Sequence, residues 1–206
     1  MRRPKQGRDS FLFATGKRGS GKSSFLKQYA RGFGRVLVWD PKNEYGQALG
    51  VDPIRSPIEL AARIDEPRLV YVPPRGLPRK KLLPVFDFVC ECVAARRHRS
   101  LFLVDELQGV SSSWGGSGWW DFLEREGRHD GVELAAAAQR PVMIDGQVIA
   151  NATRIVVFRL GHSRDRRLIA DELDIDADRL RIPPLDFLDF DVESETLKPG
   201  RLVFSR

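Results

Sequence analysis

The sequence predicts an α/β fold: a mainly parallel sheet covered by helices. Three observations point there. Short apolar runs alternate with helix-patterned segments along the chain. Several of those runs are continuous rather than alternating, as in strands buried on both faces. Between the first apolar run, "FLFAT", and the first helical segment lies the glycine-rich stretch "TGKRGSGKSS". At 206 residues the chain is the size of one such domain, with a sizeable core, so residues 1–206 are read as a single domain.

Each element follows from its residues. Residues 11–15 form a first strand and 22–31 a helix opening at the glycine-rich loop. "RVLVWD" (35–40) is a buried strand. Ser56, Pro57 and Glu59 supply an N-cap, a proline at the first helical position and a capping box for a helix from "SPIELAARI". "RLVYVP" (68–73) is a strand, and "LLPVFDFVCECVAARRHR" (82–99) a long helix whose cationic end suits the carboxyl-terminal dipole. "SLFLVDE" (100–106) is a strand running into two carboxylates. "VELAAAAQ" (132–139) and "RIVVFRL" (154–160) are two more, separated by a helix near 142–150. "RDRRLIADEL" is helical, and "FLDFDV" pairs with "GRLVF" as a terminal hairpin. Residues 1–9 are a basic, flexible amino terminus, and the glycine- and serine-rich stretch 109–120 is a mobile loop.

Composition narrows the function classes. Apolar residues are 42% and charged residues 30%, which suits a soluble globular protein, and no apolar run approaches the ~20 residues that span a bilayer. The basic start is followed only by a short strand, so a signal peptide is not expected. Cys90 and Cys92 sit two apart on a helix and read as reduced thiols, and His98, His129 and His162 lack ligand spacing. The net charge of +6 leaves contact with a polyanion open.

The loop carries the chemistry. Gly16-Lys17-Arg18-Gly19-Ser20-Gly21-Lys22-Ser23, continued by Ser24, matches the phosphate-cradling pattern Gly-x4-Gly-Lys-Ser/Thr. Glycines let successive N–H groups converge on phosphate oxygens, and the helix amino terminus adds positive potential. Lys22 is placed to reach the β- and γ-phosphates of ATP, and Ser23 to ligate Mg²⁺. Asp105, at the end of a buried strand, is the second Mg²⁺ residue, and Glu106 is placed to polarise an attacking water. In P-loop proteins with such an acid pair, a further strand inserts between the phosphate-loop strand and the acid-bearing strand. Here that strand ends in Gln139, beside the γ-phosphate. Asp40 and Glu44 follow the second strand in "WDPKNEYG", a natural turn sequence.

Together "TGKRGSGKSS", "VLVWDPKNEYG", "LFLVDELQ" and "LEREGRHDGVELAAAAQRPVMIDGQVIANATRIVVFRL" resemble the FtsK–HerA superfamily of DNA-pumping ATPases. The chain's small size and its terminal segment resemble the genome-packaging ATPases of tailless, membrane-containing viruses within it. The resemblance implies a RecA-like (ASCE) P-loop NTPase fold. It implies Glu106 as catalytic base, Gln139 as sensor, and Asp40 and Glu44 as an acidic pair near the nucleotide. It also implies an arginine supplied by a neighbouring subunit: Arg128, with Arg125 second. A trans arginine in turn implies a ring, six-membered by family, with double-stranded DNA in the pore. Expected DNA contacts are Arg96, Arg97, Arg99, Trp114 and Trp119; Trp114, Trp119 and Trp120 alternatively pack a core or interface. The family reading places the protein in the host cytoplasm and at the packaging vertex of the virion, with capsid or membrane packaging proteins as partners. Other readings are a small-molecule kinase, an assembly ATPase of filamentous-phage type, and a non-enzymatic, nucleotide-dependent ring organiser.

Overall fold

A computed structural model describes residues 10–96, 98–111 and 118–204. Its centre is one eight-stranded sheet. The strands are β1 (Phe11–Thr15), β2 (Val36–Trp39), β3 (Arg68–Tyr71), β4 (Ser100–Val104), β5 (Val132–Ala138), β6 (Arg154–Phe158), β7 (Asp186–Asp191) and β8 (Thr196–Arg201). Their order is β3-β2-β4-β5-β1-β6-β7-β8. The first six in that order run parallel, and β7 and β8 add antiparallel as a hairpin on β6. The inserted strand expected from the acid pair is present, since β5 pairs with β1 on one side and β4 on the other. Its run of alanines suits a position buried on both faces and both edges.

Side chains alternate between two apolar layers, as the pleat requires. Phe11 and Phe13 of β1 face one layer, with Phe86, Phe102 and Trp120; Leu12 and Ala14 face the other, with Phe25, Tyr29 and Phe158. The first layer is covered by α3 (Pro57–Ala62), α4 (Arg79–Ala94), α5 (Gly118–Glu126), α6 (Gly146–Ala150) and α7 (Ser163–Glu172). The second has α1 (Lys22–Ala30) and the short α2 (Gly46–Leu49), and the hairpin helps to close it. Phe187 of β7 sits 5.3 Å, ring to ring, from both Phe25 and Phe158. The predicted N-cap of α3 is present, Ser56 accepting from the Glu59 N–H at 3.4 Å. Among the described residues no helix is long and apolar enough to cross a membrane.

Several expectations are corrected. The long helix ends at Ala94, so its arginine-rich continuation lies beyond the last turn. Arg96 folds back into the protein, 6% exposed, and donates to the carbonyls of Ile64 and Glu66 at 2.9 Å each. Burial lowers its pKa to about 10. It ties α4 to the segment after α3, with its side chain buried where a surface contact is expected. Trp120 is 1% exposed and packs edge-on against Phe11 and Phe102. Trp119 is half-buried against the same layer, and its backbone N–H donates to Asp87 Oδ1 at 3.0 Å. Both tryptophans therefore help to hold α5 on the core. The expected loop 109–120 is bounded by a 3₁₀ turn at Leu107–Gly109 and by α5 from Gly118. Arg97 and Trp114 lie outside the described residues. Arg99 is exposed at the start of β4, with Glu133 at 3.8 Å. The helix expected near 142–150 resolves into a 3₁₀ turn, Pro141–Met143, and α6.

Burial, then the Asp121 and Asp145 carboxylates, push the α5 residue Glu124 up to about 7, against an ordinary 4.5. Its proton is held more tightly in the folded than in the unfolded chain. The stability this contributes is complete below about pH 4.5 and is lost as pH rises through about 7. Glu124→Gln, which cannot ionise, is expected to exceed the parent by about 1–2 kcal/mol at pH 8 and to match it at acid pH. Urea unfolding at the two pH values tests this.

Candidate functional site

The site lies at the carboxyl ends of β1, β4 and β5, where parallel sheets bind ligands. The loop after β1 is strapped down on both sides. The Thr15 hydroxyl donates to the Ala138 carbonyl at 3.1 Å, and the Lys17 N–H donates to the Arg159 carbonyl at 2.9 Å. Two glycines are sterically required. At Gly16 a Cβ would stand 2.6 Å from Phe158 Cβ and 2.8 Å from Ser20 Oγ. Gly21, the N-cap of α1, has φ +108°, and a Cβ there would meet Leu202 Cδ1.

What remains is a set of donors aimed at one place. The N–H groups of Gly21, Lys22, Ser23 and Ser24 have no backbone partner among the described residues. They are the first, unsatisfied turn of a nine-residue helix, an anion site by geometry. Ser20 Oγ is buried without a partner among the described residues. Lys22 is buried and curls over the loop, Nζ donating to the Gly16 carbonyl at 2.5 Å and the Lys17 carbonyl at 3.3 Å. Burial lowers its pKa to about 8, against the pull of Glu106 and Asp105. Lys17, Arg18 and Gly19 form the exposed crest of the loop.

Asp105 follows β4 and is 1% exposed. Its Oδ1 accepts from the Glu106 N–H at 2.9 Å, while Oδ2 is buried without a partner among the described residues. Burial, then the neighbouring Glu106 charge, raise it to about 6. An anionic oxygen left bare at this depth fits a divalent cation. The residues present thus fit Mg²⁺ and a triphosphate.

Glu106 has a left-handed backbone (φ +53°, ψ +48°), which breaks the strand and turns its side chain into a cluster of donors. Its Oε1 takes the Gln139 Nε2 at 2.6 Å and the Lys42 ammonium, and its Oε2 takes the Gln108 Nε2. Burial alone would raise its pKa. The Lys42 and Gln139 hydrogen bonds and the Lys42 charge outweigh that and hold it below the ordinary glutamate range. Gln108 also accepts from the Gln139 N–H at 3.4 Å.

Of the residues expected from the sequence, the structure brings Lys22, Asp105, Glu106 and Gln139 to one place, and it adds Lys42 and Gln108, which sequence reasoning missed. Lys42 stood in "WDPKNEYG", where only the carboxylates were weighed. The signal was its place after a strand neighbouring the acid-bearing one, β2 pairing with β4. The two carboxylates are placed differently from each other. Asp40, fully buried, accepts from the Glu44 and Tyr45 N–H groups at 2.7 and 2.8 Å and so builds the turn that presents Lys42. Glu44 is exposed, 3.7 Å from Lys27, and has no hydrogen bond or ion pair to Asp105 or Glu106 among the described residues. Arg128 is exposed on the turn entering β5, with Gln139 at the other end of that seven-residue strand. About 20 Å of strand therefore separates it from its own chain's loop. Arg125 is tied to its own helix, Nε donating to the Asp121 carbonyl at 3.1 Å.

No protein-family model matches the chain, and no curated protein sequence matches it. Solved structures do. The sulfate complex of the genome-packaging NTPase B204 from Sulfolobus turreted icosahedral virus 2 superposes with a TM-score of 0.77 at 18% identity, over 96% of this chain and 98% of that one. At that identity the likeness is one of fold: the chain has the fold of this NTPase. Within that fold the conjugative coupling protein TrwBdeltaN70 matches at TM-score 0.74 and 12% identity, over 98% of this chain and 87% of that one. VirB4 of Thermoanaerobacter pseudethanolicus matches at 0.73 and 13%, over 96% and 90%. The loop geometry gives a test. Gly21→Ala is expected to cost about 1–3 kcal/mol, from strain at positive φ and the collision with Leu202. It should also weaken binding of a fluorescent ATP analogue; thermal unfolding and fluorescence titration measure the two.

Proposed function

We propose that this protein is an ATP-driven translocase of double-stranded DNA that works as a head-to-tail ring and packages a viral genome. The observation that carries the reading is the bond from Gln139 to Glu106 across the inserted strand. It joins a sensor beside the γ-phosphate position to the base, an arrangement for coupling hydrolysis to mechanical work. Coverage of B204 over nearly its whole length supports packaging in particular, since that match leaves little of either chain unaligned.

Lys22 and the four free amides neutralise and orient the phosphates, while Ser23 and Asp105 hold Mg²⁺, which supplies charge neutralisation when bound. Glu106 accepts the proton of the attacking water, and Gln139 reports on the γ-phosphate. Arg128, out of reach of its own loop, projects toward the loop of the next subunit, where such a residue contributes roughly 10³–10⁵ in rate. A heterologous contact of this kind closes into a ring, read here as a hexamer. Duplex DNA in the pore is gripped through phosphates regardless of sequence; Arg99 is the exposed candidate contact among the described residues. The ring would act in the host cytoplasm at the vertex of a capsid, docked on capsid or membrane packaging proteins.

Long duplex DNA of any sequence is expected to stimulate ATP hydrolysis, less so at higher salt. Hydrolysis indifferent to DNA but accelerated by a nucleoside acceptor would instead establish a kinase. Glu106→Gln is expected to bind ATP but to turn it over only at a small residual rate, and Arg128→Ala to be nearly inactive. An equimolar mixture of the two should recover activity, because some interfaces then pair an intact base with an intact arginine. Recovery absent at every mixing ratio would remove Arg128 from the trans role.

A further inference from the structure

A carboxylate offers about four lone-pair positions to donors. On Glu106 three are taken: Oε1 by Lys42 and Gln139, and Oε2 by Gln108. We infer that Lys42 and Gln108 are positioning residues for the base, holding the Glu106 carboxylate so that a single acceptor position, on Oε2, is left for the attacking water. The inference rests on the hydrolytic reading of the site above and adds to it the residues that aim the base.

The geometry explains why aiming is needed. Glu106 stands on a left-handed residue between a strand and a 3₁₀ turn, so its backbone offers no regular element to fix the side chain. The three donors come from three separate places: the turn after β2, the 3₁₀ turn at Leu107–Gly109, and the end of β5. Together they over-determine one orientation. Lys42 is itself held in place, since Asp40 locks the turn that carries it through two backbone N–H groups. Its Nζ donates to no protein acceptor other than Glu106 among the described residues, which sets it apart from Lys22, bonded to the loop carbonyls. Gln108 uses both ends of its amide: Nε2 on the base, and Oε1 accepting from the sensor residue's own N–H. A base free to rotate would meet the water only part of the time, and a positioned proton acceptor is worth about 10²–10⁴ in rate.

The experiment measures basal ATP hydrolysis without DNA, together with affinity for a fluorescent non-hydrolysable ATP analogue. Lys42→Met and Gln108→Leu are each expected to lower kcat about tenfold or more with KM and analogue affinity nearly unchanged; Lys42→Arg should restore part of the loss. On a Glu106→Gln background neither change should lower the residual rate further, because the group they aim is gone. A parallel loss of analogue affinity would make Lys42 a phosphate contact and overturn the inference. So would a kcat that is unchanged or raised, or a full further loss on the Glu106→Gln background. If Lys42→Met does not fold, Gln108→Leu alone decides. Hydrolysis that ignores DNA would remove the translocase and leave this inference standing, whereas a wild-type chain with no hydrolysis at all removes both.

Discussion

The 2.6 Å hydrogen bond from Gln139 to Glu106 depends on one topological fact, that β5 runs between β1 and β4. Without the insertion the phosphate loop and the acid pair would be carried by neighbouring strands, with no side chain between them. Inserting a strand widens the site by one inter-strand spacing and supplies a polar terminus, Gln139, between the phosphate loop and the acid pair. The alanine run of β5 makes this feasible. Small side chains let the strand be buried on both faces while the helices around it stay close to the sheet.

The electrostatics of the site follow from the same crowding. Lys22 and Asp105 are both buried, and each is pushed toward its neutral form. Glu106 is pushed the other way by its donors, Lys42 foremost. Two adjacent carboxylates thus have opposite tendencies: one is bare at Oδ2 and suited to a cation, the other is hydrogen-bonded at both oxygens and fixed as an anion. The difference arises from what surrounds each residue, since their positions along the chain differ by only one.

The carboxyl-terminal hairpin extends the sheet and also supports the loop. Phe187 packs on Phe25 of α1 and Phe158 of β6, and Leu202 reaches the space that a side chain at position 21 would need. The helix that presents the phosphate-binding amides is therefore braced from the far end of the chain. The same aromatic contacts close the apolar layer that α1 and α2 cover only in part.

The sequence by itself determined the order of strands and helices, the phosphate loop, the acid pair and the inserted strand. Each of these depends on residue types at short, fixed spacing: glycines where positive φ is required, a capping serine three residues before a glutamate, apolar runs of strand length. The tertiary structure decided the fate of residues whose chemistry suits more than one environment. An arginine after a helix can face solvent or satisfy carbonyls; Arg96 does the latter because the loop after α3 presents two of them. A tryptophan can stack on a ligand or fill a core; Trp120 fills one because Phe11, Phe86 and Phe102 surround it. In "DPKNEYG" the acids looked functional and the lysine incidental, yet the pairing of β2 with β4 brings Lys42 to a glutamate 64 residues away and leaves Asp40 to hold the turn. Contacts of that separation have no local signature, because the partner's position is set by the packing of the sheet rather than by the residues beside it.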